Sequence, residues 1–243
     1  MKIKVIVPIT TKEFEEETKK EAVKFASPGT EIDVESIQYG TASIESSYDE
    51  MLNAPGIIKV AEKAQAEGFD GIMIDCMGDP ALDAVREKLE IPVVGPARAS
   101  MIYAADLAHR FSVVTVLENV VPLMENNASI LGLRDKLASV RYVNIPVLAL
   151  TDIKKLTEAL IEESLKSVRE DGAHAIILGC TGMLGVADDL SQALKANGYD
   201  IPVIYPVAVS IKYLETLISL KLKQSKKTYM TPTEKERNIW ERI

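Results

Sequence analysis

Two cysteines, Cys76 and Cys180, are the residues whose type and placement point to chemistry, and they are the only cysteines among 243 residues. Cys76 follows the apolar run "IMI" after one aspartate, and Cys180 follows "IIL" after one glycine. Each then leads into a turn that contains a glycine. A lone cysteine is usually a small buried hydrophobe, whereas a thiolate is a nucleophile and a base. The question is whether two cysteines so placed act together.

An internal repeat answers that question. The stretch 68–100, "GFDGIMIDCMGDP" onward, resembles the stretch 172–210, "GAHAIILGCTGML" onward. Both run from glycine through an apolar strand to cysteine, then through a helical pattern to Ile-Pro-Val and a final serine. Upstream, "KIKVIVPITT" from residue 2 aligns with "RFSVVTVLEN" from residue 110. The repeat predicts two similar halves with one cysteine at the equivalent point of each, which favours a catalytic role for both.

Short apolar runs alternate with longer amphipathic segments along the chain. Runs that are apolar throughout belong to strands buried on both faces, as in parallel sheets covered by helices. We therefore predict an α/β protein of two pseudo-symmetric three-layer α/β/α lobes, with mainly parallel sheets and the substrate cleft between them. The first lobe takes residues 1–98 together with 210–243, and the second takes 99–209. The predicted strands are 3–9, 72–74, 92–95, 113–117, 175–178 and 203–205, and the predicted helices include 11–25, 57–67, 80–89 and 153–170.

Composition excludes several classes of function. The net charge is −8 and the sequence pI is about 5.0, which argues against a nucleic-acid partner. No apolar run approaches the roughly 20 residues of a membrane helix, and the N-terminus is typical of a first strand rather than a signal peptide. We expect a cytoplasmic protein, where disulfides are disfavoured. The two histidines, His109 and His174, and the two cysteines show no zinc-type spacing, so no metal is expected.

Both cysteines are predicted at the carboxyl ends of strands, where open parallel sheets bind ligands. After Cys76, Asp79 is a plausible N-cap and Pro80 a first helical residue, so a helix is expected just beyond the thiol. A helix N-terminus there would lower the thiol pKa. Asp75 precedes Cys76 on the strand, and strand alternation predicts that its side chain points to the other face.

The turns that follow the cysteines supply backbone N–H groups. Met77 and Gly78 form the first turn, and Thr181 and Gly182 occupy the corresponding second turn. These N–H groups are predicted to stabilise negative charge on a substrate carbonyl oxygen, as in an oxyanion hole.

Two thiols on opposite sides of one cleft suit one particular reaction. One cysteine, as thiolate, removes a proton from an sp³ carbon, and the other, as thiol, delivers a proton to the opposite face. The result is racemisation or epimerisation. No cofactor is expected for this chemistry.

The motifs around the cysteines resemble those of the aspartate/glutamate racemase superfamily, and within it the hydantoin racemase group, which includes allantoin racemases. "DCMGDPAL" at 75–82 is similar to the group's first cysteine segment, and "LGCTGM" at 178–183 to its second. "TASIESSYDE" at 41–50, "GPARAS" at 95–100 and "YPV" at 205–207 also match. The resemblance covers roughly residues 1–220. It implies cofactor-independent, two-base racemisation of 5-substituted hydantoins by a two-lobed homo-oligomer acting on a cyclic amide substrate.

The resemblance also implies substrate contacts. Thr10 and Thr11 would line the pocket as hydroxyl donors, with capping of the first helix as the alternative, and Ile44 would lie against the substrate ring or in the core. Arg98 is either a carboxylate ligand or an exposed loop residue. Further candidates are Thr115 and Leu117 on the rim, and Met183 and Tyr48 as determinants of pocket size.

Other functions stay open at this stage. Amino-acid racemases of the superfamily typically place Asn-Thr after the first cysteine, whereas Met77 and Gly78 stand here. An aspartate/glutamate racemase or maleate-type isomerase is the alternative within the superfamily. A two-lobed small-molecule binding protein without catalysis is the alternative outside it. Trp240, in a charged tail, either belongs to a partly ordered terminus or docks on a neighbouring subunit.

Overall fold

Two separate four-stranded sheets, each parallel throughout, form the centre of the computed structural model, which describes residues 1–236. The prediction about Trp240 lies outside these residues. The first sheet has the order β2-β1-β3-β4 and the second the order β6-β5-β7-β8, so the two halves share one topology. The strands are β1 Lys2–Val7, β2 Glu31–Ser36, β3 Gly71–Ile74, β4 Val93–Val94, β5 Phe111–Thr115, β6 Leu137–Tyr142, β7 Ile176–Leu178 and β8 Val203–Ile204.

Helices cover both sheets, as expected for an α/β protein. They are α1 Glu15–Phe25, α2 Ser47–Ala66, α3 Leu82–Lys88, α4 Pro96–Leu107, α5 Val121–Ile130, α6 Ile153–Arg169, α7 Ala187–Ala196 and α8 Pro206–Ser219. The two-lobed α/β fold predicted from the repeat is confirmed. The predicted domain boundaries and the homo-oligomer stay predictions.

The strands that sequence periodicity missed are the polar edges of the two sheets. β2 (EIDVES) and β6 (LASVRY) each pair with one neighbour only and leave several residues partly exposed. By contrast, all residues of β3, β5 and β7 are buried. A strand buried on both faces reads as a continuous apolar run. The polar edge strands β2 and β6 do not, which is why the sequence pattern missed them, whereas the short edge strands β4 and β8 are apolar and were predicted.

Two helices connect the lobes, because each follows a strand of one sheet and packs against the other sheet. α4 follows β4 of the first sheet but packs against β7 and β8 of the second. α8 follows β8 of the second sheet but packs against β3 and β4 of the first. The two helices also pack against each other. One apolar core therefore runs through both lobes, from Ile3 in β1 to Phe111 in β5, and it positions the ends of β3 and β7 relative to each other.

Three helices begin at residues other than those predicted. α1 begins at Glu15, where the sequence predicted residue 11, after a 3-10 turn at Lys12–Phe14. α2 begins at Ser47, where the sequence predicted residue 57, because Ser46 caps it by accepting a hydrogen bond of 3.2 Å from the N–H of Asp49. α3 begins at Leu82 rather than Pro80. Asp79 and Ala81 adopt positive φ values of 54° and 56°, in the left-handed region that a helix cannot use.

In residues 1–236, no helix combines the length and the apolar character that crossing a membrane requires.

Candidate active site

The two cysteines begin identical turns in the two halves. The carbonyl of Cys76 accepts a hydrogen bond of 3.1 Å from the N–H of Asp79, and the carbonyl of Cys180 accepts one of 3.2 Å from Met183. Within the first turn the N–H of Gly78 points back at the sulfur of Cys76, at 3.5 Å. Both cysteines are free thiols and partly buried. The repeat seen in the sequence is therefore repeated in the local geometry of the site.

Both thiols line one cavity of about 50 Å³ at the carboxyl ends of β3 and β7. Five predicted site residues line it: Cys76, Cys180, Ile44, Thr181 and Gly182. The remaining lining residues were not assigned to the site by sequence reasoning: Val7, Pro8, Ile9, Phe14, Thr18, Asp75 and Val147. The lining is mostly apolar, and none of the described residues in it carries a positive charge.

The other predicted contacts lie outside this cavity, and the hydroxyls of two threonines among them are used elsewhere. The Thr11 hydroxyl donates a hydrogen bond of 2.8 Å to the carbonyl of Ala42, so this hydroxyl neither faces the cavity nor caps a helix. The Thr115 hydroxyl donates 3.1 Å to the carbonyl of Gly179. The set that does not line the cavity is Thr10, Thr11, Met77, Gly78, Thr115 and Leu117.

Two residues expected to set pocket size do not do so. Met183 is fully buried in the apolar core, and Tyr48 is 72% exposed on α2. Arg98 lies in α4 rather than in an exposed loop, and its guanidinium forms two hydrogen bonds with Asp83, of 2.7 and 3.1 Å. It is therefore neither a free loop residue nor a ligand of the cavity.

Asp79 caps a helix, but a different one from that predicted. Its two carboxylate oxygens accept hydrogen bonds of 2.9 and 3.0 Å from the N–H groups of Ala97 and Arg98, the first turn of α4. A Cβ at Gly95 would collide with this carboxylate, so glycine is required there. Asp79 thus connects the turn after Cys76 to the helix that crosses to the second lobe.

Asp75 was predicted to face away from the site, and that prediction is wrong. β3 ends at Ile74, so the alternation of strand side chains does not extend to Asp75 and Cys76, and both line the cavity. The Asp75 side chain is 7% exposed. Burial raises the pKa of its carboxyl to about 6, although hydrogen bonding to threonine hydroxyls opposes the shift.

The loop that carries Ile44 is tied to the second lobe on the same side of the cavity. Glu45 accepts a hydrogen bond of 2.8 Å from the N–H of Val147 through its carboxylate. Its backbone carbonyl accepts one of 2.6 Å from the side chain of Asn119. These contacts hold Ile44 and Val147 against the cavity from opposite lobes.

The thiols are more basic than the sequence predicted. Burial raises the pKa of Cys180 to about 12, in spite of the Gly182 N–H, and the charges of Asp75 and Glu45 add to the rise. Burial likewise raises the pKa of Cys76 well above its usual value, and Glu50 and Asp79 add to it. The helix N-terminus expected just beyond Cys76 lies farther along the chain, because α3 begins at Leu82, and α7 likewise begins only at Ala187 after Cys180.

Glu50, at the start of α2, is a further ionisable group next to the first turn. One of its carboxylate oxygens is buried and has no hydrogen-bond partner in the described part of the chain, and a Cβ at Gly78 would collide with it. Burial, together with the nearby charge of Asp79, raises the pKa of Glu50 to about 7. Its negative charge is one of the causes that raise the pKa of Cys76.

A second cavity, of about 370 Å³, lies between α3, α4, α8 and the segment 223–229. It is larger, but its basic side chains are occupied: Arg86 donates to the carbonyl of Val93, and Lys223 pairs with Glu90. Neither cysteine lines it. Within residues 1–236, no three His, Cys, Asp or Glu side chains are grouped so that they could hold a metal ion. The chemistry is therefore centred on the cavity with the two thiols.

The doubled α/β fold is shared with known racemases. The chain belongs to the Asp/Glu/Hydantoin racemase family, whose model matches residues 3–214. It is 42% identical to a hydantoin racemase from Pseudomonas sp. over 97% of this chain and 94% of that protein. It is 36% identical to a hydantoin racemase from Paenarthrobacter aurescens over 97% of this chain and 99% of that protein.

Solved structures agree with this assignment. Allantoin racemase from Klebsiella pneumoniae superposes with a TM-score of 0.90 at 36% identity, over 97% of this chain and 95% of that one. Glutamate racemase from Bacillus anthracis, at 17% identity and a TM-score of 0.66, shares the fold. The chain is an isomerase of the racemase class.

Proposed function

We propose that the chain racemises a 5-substituted hydantoin, or a close cyclic ureide such as allantoin, with Cys76 and Cys180 as the two bases. The observation that carries this proposal is that both thiols line one small cavity whose described lining residues carry no positive charge. The similarity to hydantoin and allantoin racemases over nearly the whole chain supports it.

The reaction needs two proton transfers at one carbon. C5 of a hydantoin is bonded to a carbonyl carbon, so its proton is acidic. The thiolate of one cysteine takes that proton as S–H, and the electron pair of the broken C–H bond moves onto the carbonyl oxygen. The thiol of the other cysteine then donates its proton to the opposite face of C5 and becomes the thiolate. Atoms and charge balance with the two thiols alone, and no cofactor enters.

The charge of the cavity favours a neutral ring over an acidic amino acid. Aspartate and glutamate carry two carboxylates, which need cationic or N–H partners when they are buried. The cavity instead holds the carboxyl group of Asp75, with Glu45 and Glu50 close enough to raise the pKa values of the thiols. A neutral cyclic ureide brings no charge into this acidic site.

The small volume of the cavity sets the panel of substrates to test. One water molecule needs about 10–15 Å³ on the same scale, so 50 Å³ suits a small ring and a short substituent. The panel is 5-methylhydantoin, 5-benzylhydantoin, allantoin, aspartate and glutamate, each as a single enantiomer in D₂O without added cofactor. Optical rotation and deuterium entry at the acidic carbon are followed for the wild type, Cys76→Ser and Cys180→Ser.

We expect loss of rotation with deuterium uptake on a ureide, and at least a ~10²-fold slower racemisation for either serine variant. Activity confined to aspartate or glutamate would reassign the substrate to the amino-acid racemases. A chain that binds a ureide but racemises no compound above the enzyme-free rate would be a binding protein, and the proposal would be abandoned.

A further inference from the structure

One carboxylate oxygen in the candidate active site has no hydrogen-bond partner among residues 1–236. This atom, Oδ1 of Asp75, is buried, and the side chain as a whole is only 7% exposed. The residue lines the cavity together with Cys76 and Cys180. Buried polar atoms in native proteins are normally paired, so a buried carboxylate oxygen without a donor needs an explanation.

The other polar atoms of Asp75 are all accounted for. Oδ2 accepts a hydrogen bond of 3.4 Å from the hydroxyl of Thr18. The backbone N–H donates a hydrogen bond of 2.8 Å to the carbonyl of Ile6. The backbone carbonyl accepts a hydrogen bond of 3.0 Å from the hydroxyl of Thr181. These bonds hold the residue firmly from both lobes. They leave Oδ1 as its one acceptor without a donor.

Neither a cation nor a neighbouring hydroxyl completes the bonding of Oδ1. Among residues 1–236, no lysine or arginine forms an ion pair with Asp75, and the hydroxyls of Thr18 and Thr181 donate to Oδ2 and to the backbone carbonyl. The rest of the cavity lining is apolar apart from the two thiols, Thr18, and the turn at Thr181 and Gly182. A ligand with an N–H group is the donor that would complete the site.

We propose that Oδ1 of Asp75 accepts a hydrogen bond from a ring N–H of the substrate and so orients the ring between the two thiols. This inference rests on the proposed function, and it makes Asp75 a residue that determines specificity. Because Asp75 precedes Cys76 and is bonded to Thr181 beside Cys180, an N–H held by Asp75 places the neighbouring ring carbon near both sulfurs.

Such a contact selects for one chemical class of substrate. A site built to hydrogen-bond a substrate N–H rejects an analogue that lacks it, because the buried acceptor is then left unpaired. On a methylated ring nitrogen, the hydrogen that would be donated is missing, and the methyl group fills the space in which the hydrogen bond would form. A carboxylate at the same position would meet the charge of Asp75. The substrate is therefore a neutral ring with at least one free N–H.

The test compares N-methylated with unmethylated substrates. The ratio of kcat/KM for 5-methylhydantoin to that for its N1-methyl and N3-methyl derivatives is measured for the wild type and for Asp75→Ala. In the wild type we expect one of the two methylated isomers to react about 100-fold more slowly than the parent. In Asp75→Ala we expect kcat/KM for the parent to fall about 30-fold, mainly through a higher KM. For the slow methylated isomer we expect kcat/KM to fall about threefold or less.

A matched control separates this role from a loss of stability. Asp171→Ala removes the same side chain from the second lobe, where the carboxylate pairs with Arg141 at 2.7 Å and does not line the cavity. It is expected to leave the discrimination ratio unchanged. Should Asp75→Ala fail to fold, Asp75→Asn replaces it, because asparagine keeps the size of the side chain. Its ratio of kcat/KM for the parent to that for the slow methylated isomer is expected to fall about 10-fold.

The outcomes distinguish the two proposals. If the wild type racemises no ureide at all, the proposed function fails. If the wild type is active but both methylated isomers react as fast as the parent, or if Asp75→Ala discriminates between them as strongly as the wild type, the function stands and the role of Asp75 is overturned. Binding of the parent ring to the Cys76→Ser/Cys180→Ser variant, measured by calorimetry, should weaken about 30-fold when Asp75→Ala is added.

Discussion

The hydroxyl of Thr181 donates a hydrogen bond of 3.0 Å to the backbone carbonyl of Asp75. Thr181 follows Cys180 in the second half of the chain, and Asp75 precedes Cys76 in the first. This buried bond joins the two cysteine turns directly, so the position of one thiol depends on that of the other. The repeat thus supplies two equivalent half-sites, and a cross-lobe bond makes them one site.

Each cysteine should act on one face of the substrate only. In Cys180→Ser, the thiol of Cys76 remains, so one enantiomer should exchange its C5 proton for deuterium without inverting. In Cys76→Ser, the other enantiomer should exchange its C5 proton for deuterium without inverting. Proton NMR of single enantiomers in D₂O, corrected for the enzyme-free rate, measures both. Equal exchange of the two enantiomers by the same variant would contradict a two-base mechanism.

The activity should rise with pH across the neutral range. Burial raises the pKa of Cys180 to about 12 and that of Cys76 well above 9.0, and the charges of Asp75, Glu45, Glu50 and Asp79 add to these shifts. One thiol must be ionised in the active enzyme, and its thiolate fraction grows with pH below the pKa. We therefore expect kcat/KM to increase about tenfold per pH unit from about pH 7 to pH 9. A plateau already present at neutral pH would show that the free enzyme holds a thiolate.

Glu50 should control the reactivity of Cys76. At about pH 8, above its raised pKa of about 7, Glu50 carries a negative charge that disfavours the Cys76 thiolate. Glu50→Gln removes this charge, so alkylation of Cys76 by iodoacetamide in a Cys180→Ser background should become severalfold faster.

The matched control is Glu62→Gln, on the same helix, where the carboxylate pairs with Lys88 at the surface at 3.0 Å. It should leave the alkylation rate as it was. At about pH 5, where Glu50 is protonated, Glu50→Gln and its parent should react alike. A rate increase of equal size at both pH values would point to a local opening of the turn instead of an electrostatic effect.

Glu215 should contribute stability that acid removes. The residue lies on α8, 5% exposed, and accepts hydrogen bonds from Ser27 and Thr30 of the first lobe, at 2.7 and 2.6 Å. Burial alone would raise its pKa, but these bonds outweigh burial and lower the pKa to about 2. Because the unfolded chain binds this proton more tightly, the contribution is complete above about pH 4.5 and is lost as the pH falls through about 2.

Glu215→Gln should therefore lower the free energy of unfolding by about 2 kcal/mol at pH 7. The difference from the wild type should shrink toward zero near pH 2. Urea denaturation at pH 7, 4 and 2.5 measures it, with the exposed Glu16→Gln as the control that changes little. A difference independent of pH would mean that side-chain packing, and not the ionised carboxylate, is responsible.

The sequence by itself determined the α/β class, the repeat and the pair of cysteines. The interior strands β3 and β7 are apolar along their whole length and therefore visible, and the equivalent turns after Cys76 and Cys180 follow from local backbone chemistry. The edge strands β2 and β6 were missed because polar residues interrupt their apolar pattern.

Only the tertiary structure decided the lining and the electrostatics of the site. Phe14, Thr18 and Val147 come to the cavity from separate elements, and no local pattern marks such contacts. The alternation rule misplaced Asp75 because the strand ends one residue before it. The helix-dipole argument misjudged the thiols because burial outweighs it, and burial depends on how the two lobes pack together.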